Sequence, residues 1–469
     1  MQKRILAVLL SIAMLLSIGT MVGCGGGVNK DNTVNVESFD KDTAVEITFT
    51  HTMGANLQNV LNTYIEEFNK IYPNIKITHK SAGGWGDIQG QINTEIAADT
   101  PPNIAYVYPD HVASYNIAKA VVVLDNLIDS NVQTSGLEGE IVGLTQAQKD
   151  DFIKSYYNEG LVYGDNKMYT MPLSKSTEVL YYNKTAFEEN GWSVPTTWDE
   201  MWALCEQIKA KYPNDYPLGY DSEANLFITL CEQMKTGFTS AENGGQFLFN
   251  NDENKALVKQ LREYYRKGYF TTQELYGAYT SGLFVETTDK RSFMCIGSSG
   301  GASYQMSNND TPDGSFAFEV GVAPIPQYDA TNKKTISQGP SLCIMKGINT
   351  TDEQVIASWL FVKFLCTNID FQAEFSMTSG YMPVLESVTN HPNYSAWLDR
   401  RNGKEYLVAQ CVYTGIQGRA DYFVSPAFNG SSVAREQAEY LIRECLGKAN
   451  MSDSDIDKAF KDAINKCEY

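Results

Sequence analysis

Val45-Glu46-Ile47-Thr48-Phe49 alternates apolar and polar side chains with the period of two that a half-buried strand requires. Leu57, Val60, Leu61, Tyr64, Ile65, Phe68 and Ile71 follow at spacings of three and four, which lays one apolar stripe along a helix that Tyr72-Pro73 ends. Ile75-Lys76-Ile77 is the next strand. Ile88, Ile92 and Ile96 share one face of a second helix, Pro101-Pro102 breaks the chain, and Ile104-Ala105-Tyr106-Val107-Tyr108 is a third strand. Parallel neighbours need a long return connection, and a helix supplies it as a right-handed crossover. The β-α-β-α-β order therefore predicts a doubly wound α/β lobe.

Upstream, Lys3 and Arg4 precede an apolar stretch from Ile5 to Ile18, then small residues, Gly23 and Cys24. The apolar run falls short of the roughly 20 residues of a transmembrane helix and reads as a signal peptide, residues 1–23. Met21-Val22-Gly23-Cys24 resembles the bacterial lipoprotein box, with Met21 in place of the usual leucine, which implies diacylglycerol on Cys24. Gly25-Gly26-Gly27 and a polar stretch to about Asp42 carry few large apolar residues, so 24–43 is expected to be a flexible tether.

Downstream, the texture changes near Lys175. Val179-Leu180-Tyr181-Tyr182 reads as a strand, and Thr197-Trp198-Asp199-Glu200 has the form of a capping box opening a helix. Helical periodicity dominates from Glu223 to about Glu286. Ser292 to Gly297, Phe318 to Ile325 and Ser341 to Met345 read as strands, and Thr351-Asp352-Glu353-Gln354 is a second capping box before a strongly apolar helix.

At 469 residues the chain has room for two large lobes, and 43% hydrophobic with 20% charged residues is ordinary for a globular protein. A net charge of -19 repels phosphate backbones and argues against nucleic acid as a partner. Beyond Cys24, the cysteines at 205, 231, 295, 343, 366, 411, 445 and 467 are widely spaced and several sit in apolar runs, which favours mostly free, buried thiols. With four histidines and no clustered ligands, neither a metal site nor a cofactor is expected.

Met171-Pro172-Leu173-Ser174-Lys175-Ser176-Thr177-Glu178-Val179-Leu180-Tyr181-Tyr182-Asn183-Lys184, followed by Pro195-Thr196-Thr197-Trp198-Asp199-Glu200, resembles the extracellular solute-binding proteins of ATP-driven sugar importers, including the maltose- and glycerol-3-phosphate-binding types. Val322-Ala323-Pro324-Ile325-Pro326, Gln338-Gly339-Pro340-Ser341 and Thr378-Ser379-Gly380-Tyr381-Met382-Pro383 extend the resemblance in the same order. It implies a periplasmic-binding-protein-like fold of type II: two doubly wound α/β lobes joined by a multi-strand hinge. The implied lobes are discontinuous, 44–174 plus 298–370 and 175–297 plus 371–469, with crossings near Ser174, Ser298 and Phe371. It also implies a monomeric lipoprotein on the outer face of the cytoplasmic membrane, binding a carbohydrate and serving permease subunits.

A reversible sugar site needs flat aromatic faces and paired polar groups. Trp85, in Gly83-Gly84-Trp85-Gly86-Asp87, is either such a face or a loop aromatic folded on the core. Tyr108 and Asp110 end the third strand at the carboxyl edge of the sheet, where open α/β sheets bind ligands, although Asp110 equally suits a helix N-cap. Ser174, Lys175 and Ser176 fall at the implied crossing, as cleft or hinge residues. Ser299 and Gly300 offer hydroxyl and backbone N–H donors, and Gly339 permits close ligand approach. Tyr381 and Arg419 complete the set carried by the resemblance. Arg419 suits a phosphate ester and keeps glycerol 3-phosphate or a glycerophosphodiester as the alternative ligand, with a surface salt bridge as its plainer role.

Gly297-Ser298-Ser299-Gly300-Gly301 formally satisfies G-x-S-x-G, with His391 as the chain-ordered base. The segment runs quickly into Ser307-Asn308-Asn309-Asp310 instead of a firm helix, so no hydrolase is expected.

Overall fold

The computed structural model describes residues 33–288, 290–306, 317–400 and 404–468. The signal peptide, Cys24 and the chain up to Asn32 lie outside the described residues. In chain order the strands are β1 (Phe39–Asp40), β2 (Val45–His51), β3 (Ile75–Ser81), β4 (Ile104–Val107), β5 (Thr134–Ser135), β6 (Met171–Pro172), β7 (Ser176–Asn183) and β8 (Tyr216–Tyr220). They continue as β9 (Thr239–Ser240), β10 (Gln246–Phe247), β11 (Phe270–Thr272), β12 (Ser292–Ser298), β13 (Val320–Pro324), β14 (Thr335–Gln338), β15 (Ser341–Ile344) and β16 (Tyr422–Phe423).

The opening β-α-β-α-β unit forms as its sequence predicts. Strand β2 pairs in parallel with β3 on one side and β4 on the other, and the sheet closes as β3-β2-β4-β15-β6 with β15 antiparallel. Helix α1 (Ala55–Ile71) buries Val60, Leu61, Tyr64 and Phe68, and α2 (Trp85–Ala97) buries Ile88 and Ile92. The second sheet runs β11-β8-β12-β7-β14-β16, with β13 also on β7. Two apolar cores form, one under the first sheet that also takes Val179, Tyr181 and Cys295 from one face of the second, and one on the other face of the second sheet. Both predicted capping boxes are present, at Thr197/Glu200 and Thr351/Gln354. The latter opens α6 (Asp352–Thr367), whose Trp359 is wholly buried in the first core and donates to the Val142 carbonyl at 2.8 Å. Among the described residues no helix is long and apolar enough to cross a membrane. The eight described cysteines are free and buried.

Two expectations need correction. The segment from Thr33 is not tether: Val34 and Phe39 are buried in the first core and β1 pairs with β5, so two large apolar side chains give a short polar stretch something to bury. The stretch 223–286 is dominated by helix, with the short strands β9, β10 and β11 between its helices, each too short to display alternation. The lobe boundaries also shift. Strands β13 and β14 belong to the second sheet, not to the first lobe. Phe371 sits in the first core with its ring 5.2 Å from that of Tyr64. The helix Lys404–Gly418 brings Leu407, Cys411 and Val412 into the first core, with the Cys411 thiol 3.5 Å from the Tyr181 hydroxyl of β7, and precedes β16, which pairs with β14.

A histidine wire links β2 to its neighbours. His51 Nδ1 accepts from the Met53 backbone N–H at 3.1 Å, so His51 carries its proton on Nε2, 2.9 Å from His79 Nδ1. His79 Nε2 lies 2.9 Å from Asn62 Oδ1. Every bond in this chain uses neutral rings. Burial first, then the neighbouring His79, lowers His51 from 6.5 to about 4, and burial lowers His79. Below the ordinary histidine range the unfolded chain takes up protons that the native wire refuses, so this contribution to stability is lost as pH falls from about 6.5 towards 4, by about 2–3 kcal/mol. Urea unfolding of His51→Gln should show a flatter pH dependence across that window than the wild type; an unchanged slope overturns the assignment.

Candidate ligand-binding site

Between the two sheets lies a cavity of about 590 Å³, within the range of small-molecule sites. One wall is aromatic. Gly83, at φ +93°, and the Asp87 carboxylate accepting from the Gly84 N–H at 2.8 Å turn the chain sharply from β3 into α2, which puts Trp85 in the first turn. Its indole stacks on Tyr108 at 3.8 Å and 23°, and on Tyr106 at 5.3 Å and 9°. Tyr381 adds a third ring to the cavity, and burial pushes its phenol up to about 12. Tyr279 and Tyr304 stand exposed at the rim.

The opposite wall is polar. Glu178 of β7 accepts from the Tyr220 hydroxyl at 2.7 Å and from Asn225 Nδ2 at 2.9 Å. Asn225, on α5 (Glu223–Met234), also donates to Gln338 Oε1 at 3.0 Å and accepts from Arg435 of α9 (Ser431–Gly447). Burial raises Glu178 to about 7, against the pull of Tyr220, Asn225 and Arg435. Asp221, held by the Thr280 N–H and hydroxyl at 2.6 and 2.7 Å, is likewise raised by burial. Fixed carboxyl, amide and guanidinium groups facing stacked rings can hydrogen-bond a polyol while covering its apolar face.

Of the residues singled out by sequence, Trp85, Tyr108, Gly300 and Tyr381 line this cavity. Gly300 is required there, since a Cβ would come within 2.7 Å of the Tyr381 ring. The others do not. Asp110 lies in the first turn of α3 (Pro109–Ile117), accepts from the His111 N–H at 3.1 Å, and lines a recess of about 40 Å³ beside the cavity. Ser174, Lys175 and Ser176 are buried in the crossing. Lys175 is bonded to Glu159 at 2.5 Å and to Ser341 at 3.3 Å. The Ser299 hydroxyl turns away to accept from the Thr177 N–H at 3.3 Å. Gly339, at φ +105°, lines the small recess and serves the crossing itself: a Cβ would meet Lys175 Cα and the Ser174 carbonyl at 2.7 Å. Arg419 faces Glu386 at 3.4 Å, outside the cavity.

The guanidinium of the site is Arg435 instead. Glu178, Asp221, Asn225 and Gln338 are further lining residues that sequence reasoning passed over. Glu178 did carry a signal, a carboxylate inside the apolar run Val179-Leu180-Tyr181 and its flank, where an unpaired charge is costly. Arg435 had none, being one charge among many on a C-terminal helix. The serine-nucleophile arrangement does not form: Ser299 is wholly buried, and His391 faces Asp370 at 3.6 Å on a separate groove beside α1. Among the described residues no acidic, histidine or cysteine cluster could hold a metal ion.

Comparison with known proteins agrees with this architecture. The chain is 26% identical over 392 residues, 80% of its length and 83% of the relative's, to the sn-glycerol-3-phosphate-binding periplasmic protein UgpB of Rhizobium meliloti. It is 26% identical over 191 residues to the multiple sugar-binding protein of Streptococcus mutans, a match spanning 40% of this chain but only 37% of that protein. In three dimensions it is similar to the GacH receptor of Streptomyces glaucescens, with a TM-score of 0.71 at 14% identity, covering 91% of this chain and 99% of the other. The sequence model described as bacterial extracellular solute-binding protein matches residues 63–401, and the chain belongs to that family.

Proposed function

We propose that this protein is the substrate-binding lipoprotein of an ATP-driven importer. It is a monomer held through Cys24 at the outer face of the cytoplasmic membrane, which is the periplasmic side where an outer membrane is present. It binds a neutral mono- or oligosaccharide in the cavity, and does no chemistry on it. The observation that carries the ligand class is the Trp85–Tyr108 stack facing the Glu178–Asn225–Arg435 wall. Ligand touching both walls stabilises the closed arrangement of the lobes, and this is what permease subunits read. Affinity in the micromolar range, about -8 kcal/mol, suits capture followed by release.

A second ligand, glycerol 3-phosphate or one of its diesters, is favoured by Arg435, which makes no ion pair among the described residues, and by the name of the Rhizobium relative. Calorimetry of the full-length protein in a sugar-free detergent, against neutral saccharides, glycerol 3-phosphate and glycerophosphodiesters, separates the two. Binding of phosphate esters alone would overturn the saccharide reading. In either case Arg435→Ala should weaken binding by at least about tenfold, or 1.4 kcal/mol, while Arg419→Ala leaves it within about twofold.

A further inference from the structure

The polar wall contains a charge pair that never touches. Glu178 is only 2% exposed, yet it lines the cavity. Its Oε1 takes one hydrogen from the Asn225 amide, and the Oδ1 of that amide takes hydrogens from Arg435 and, at 3.2 Å, from Gln338. Carboxylate and guanidinium therefore polarise one amide from its two ends, on a strand and a helix that are fixed independently. The titratable groups facing Glu178 are the Tyr220 hydroxyl from β8, the Asp221 carboxyl that follows it and Arg435 from α9, while β12 and β14 present Ser298 and Gln338. Arg435 is the cation among them.

Resting on the carbohydrate reading, we infer that Glu178 sets the charge selectivity of the cavity. Ionised, it balances Arg435 through the shared amide and the cavity favours an uncharged saccharide. Carrying a proton, it leaves the guanidinium uncompensated, and the cavity accepts a sugar bearing a carboxylate or phosphate. Burial places the change near neutrality, at about 7, so the same wall presents two charge states across ordinary external pH. Glutamine keeps the size of the side chain and an acceptor for Asn225, and mimics the protonated state at every pH.

The test compares D-glucose with D-glucuronate, which stays ionised throughout, and adds glycerol 3-phosphate as a second anion and maltotriose as a neutral oligosaccharide. Calorimetry is run on full-length wild type and Glu178→Gln at about pH 8 and about pH 6. At the higher pH, Glu178→Gln should bind the anions at least about tenfold tighter than wild type does. Wild type should gain glucuronate affinity as pH falls and the variant should not, adding Arg435→Ala to the variant should erase the gain, and glycerol 3-phosphate, whose phosphate itself titrates near about 6, is compared between the proteins at the higher pH. Anions no tighter in the variant, or a pH response shared equally by both proteins, overturns the inference. If the variant does not fold, the wild-type pH comparison decides alone: glucuronate affinity that does not rise as pH falls overturns it. Anion gain in the variant with no neutral saccharide bound by wild type sinks the carbohydrate reading but leaves the selector standing; glucose or maltotriose binding without anion gain does the reverse.

Discussion

Lys175→Met lowers the unfolding free energy by about 3–5 kcal/mol, the largest single-site effect expected outside the apolar cores. The Lys175 side chain is wholly buried, and its ammonium lies 2.5 Å from Glu159 Oε1 and 3.3 Å from the Ser341 hydroxyl. The second Glu159 oxygen is buried and makes no hydrogen bond, so the carboxylate depends on this one cation for compensation. Removing the ammonium strands a buried charge, whereas removing both charges strands none. The double variant Lys175→Met/Glu159→Gln should therefore recover most of the loss. The backbone around the pair is fixed as well, with the Lys175 N–H on the Met382 carbonyl at 2.9 Å and Gly339 packed edge-on against Lys175 Cα. Urea unfolding followed by near-ultraviolet circular dichroism measures all three proteins. A single variant within about 1 kcal/mol of wild type, or a double variant no better than the single, would show that the pair is not what holds the crossing.

How far the sequence revealed this arrangement depends on whether a residue's partner is near it in the chain. The β2-to-β4 run is legible because each apolar stripe repeats at a local period and each crossover closes within one helix. Thr197 and Thr351 announce their helices because a capping box is complete within four consecutive residues. Trp85 stands out because flanking glycines leave a large ring with little local to pack on, whereas Tyr381 is marked only by the resemblance. Phe371 is hard to place for the opposite reason. Its aromatic partner Tyr64 lies far upstream, and nothing near Phe371 tells which of two apolar cores receives it. Lys175 and Arg419 were placed by position in a resemblance. A position fixes the backbone, while the direction of a long side chain is set by charges such as Glu159 and Glu386 that are distant in sequence. Glu178 and Arg435 were invisible together, because their meaning lies in an amide on a third element.

Trp85→Ala weakens ligand binding by about 2 kcal/mol or more, some thirtyfold, while Trp85→Phe retains most of the affinity. The indole is the inner face of the aromatic wall, and its contact with Tyr108 at 3.8 Å fixes its plane before any ligand arrives. Little ordering entropy is therefore left for binding to overcome. Alanine removes the face and also frees Tyr108, so a guest would meet a mobile ring where a rigid platform stood. Phenylalanine keeps a flat apolar surface in the same stack. The ligand-free variant should remain folded, because Trp85 is only half-buried and the stripe of α2 below it, Ile88 and Ile92, is intact. Calorimetry with whichever saccharide binds wild type, beside a melting curve of the empty protein, reads both quantities. Unchanged affinity in a folded Trp85→Ala protein would mean that the guest does not stack on this wall. The hydrogen-bonding wall would then have to carry recognition alone, and the preference for a ring-shaped guest would lose its physical basis.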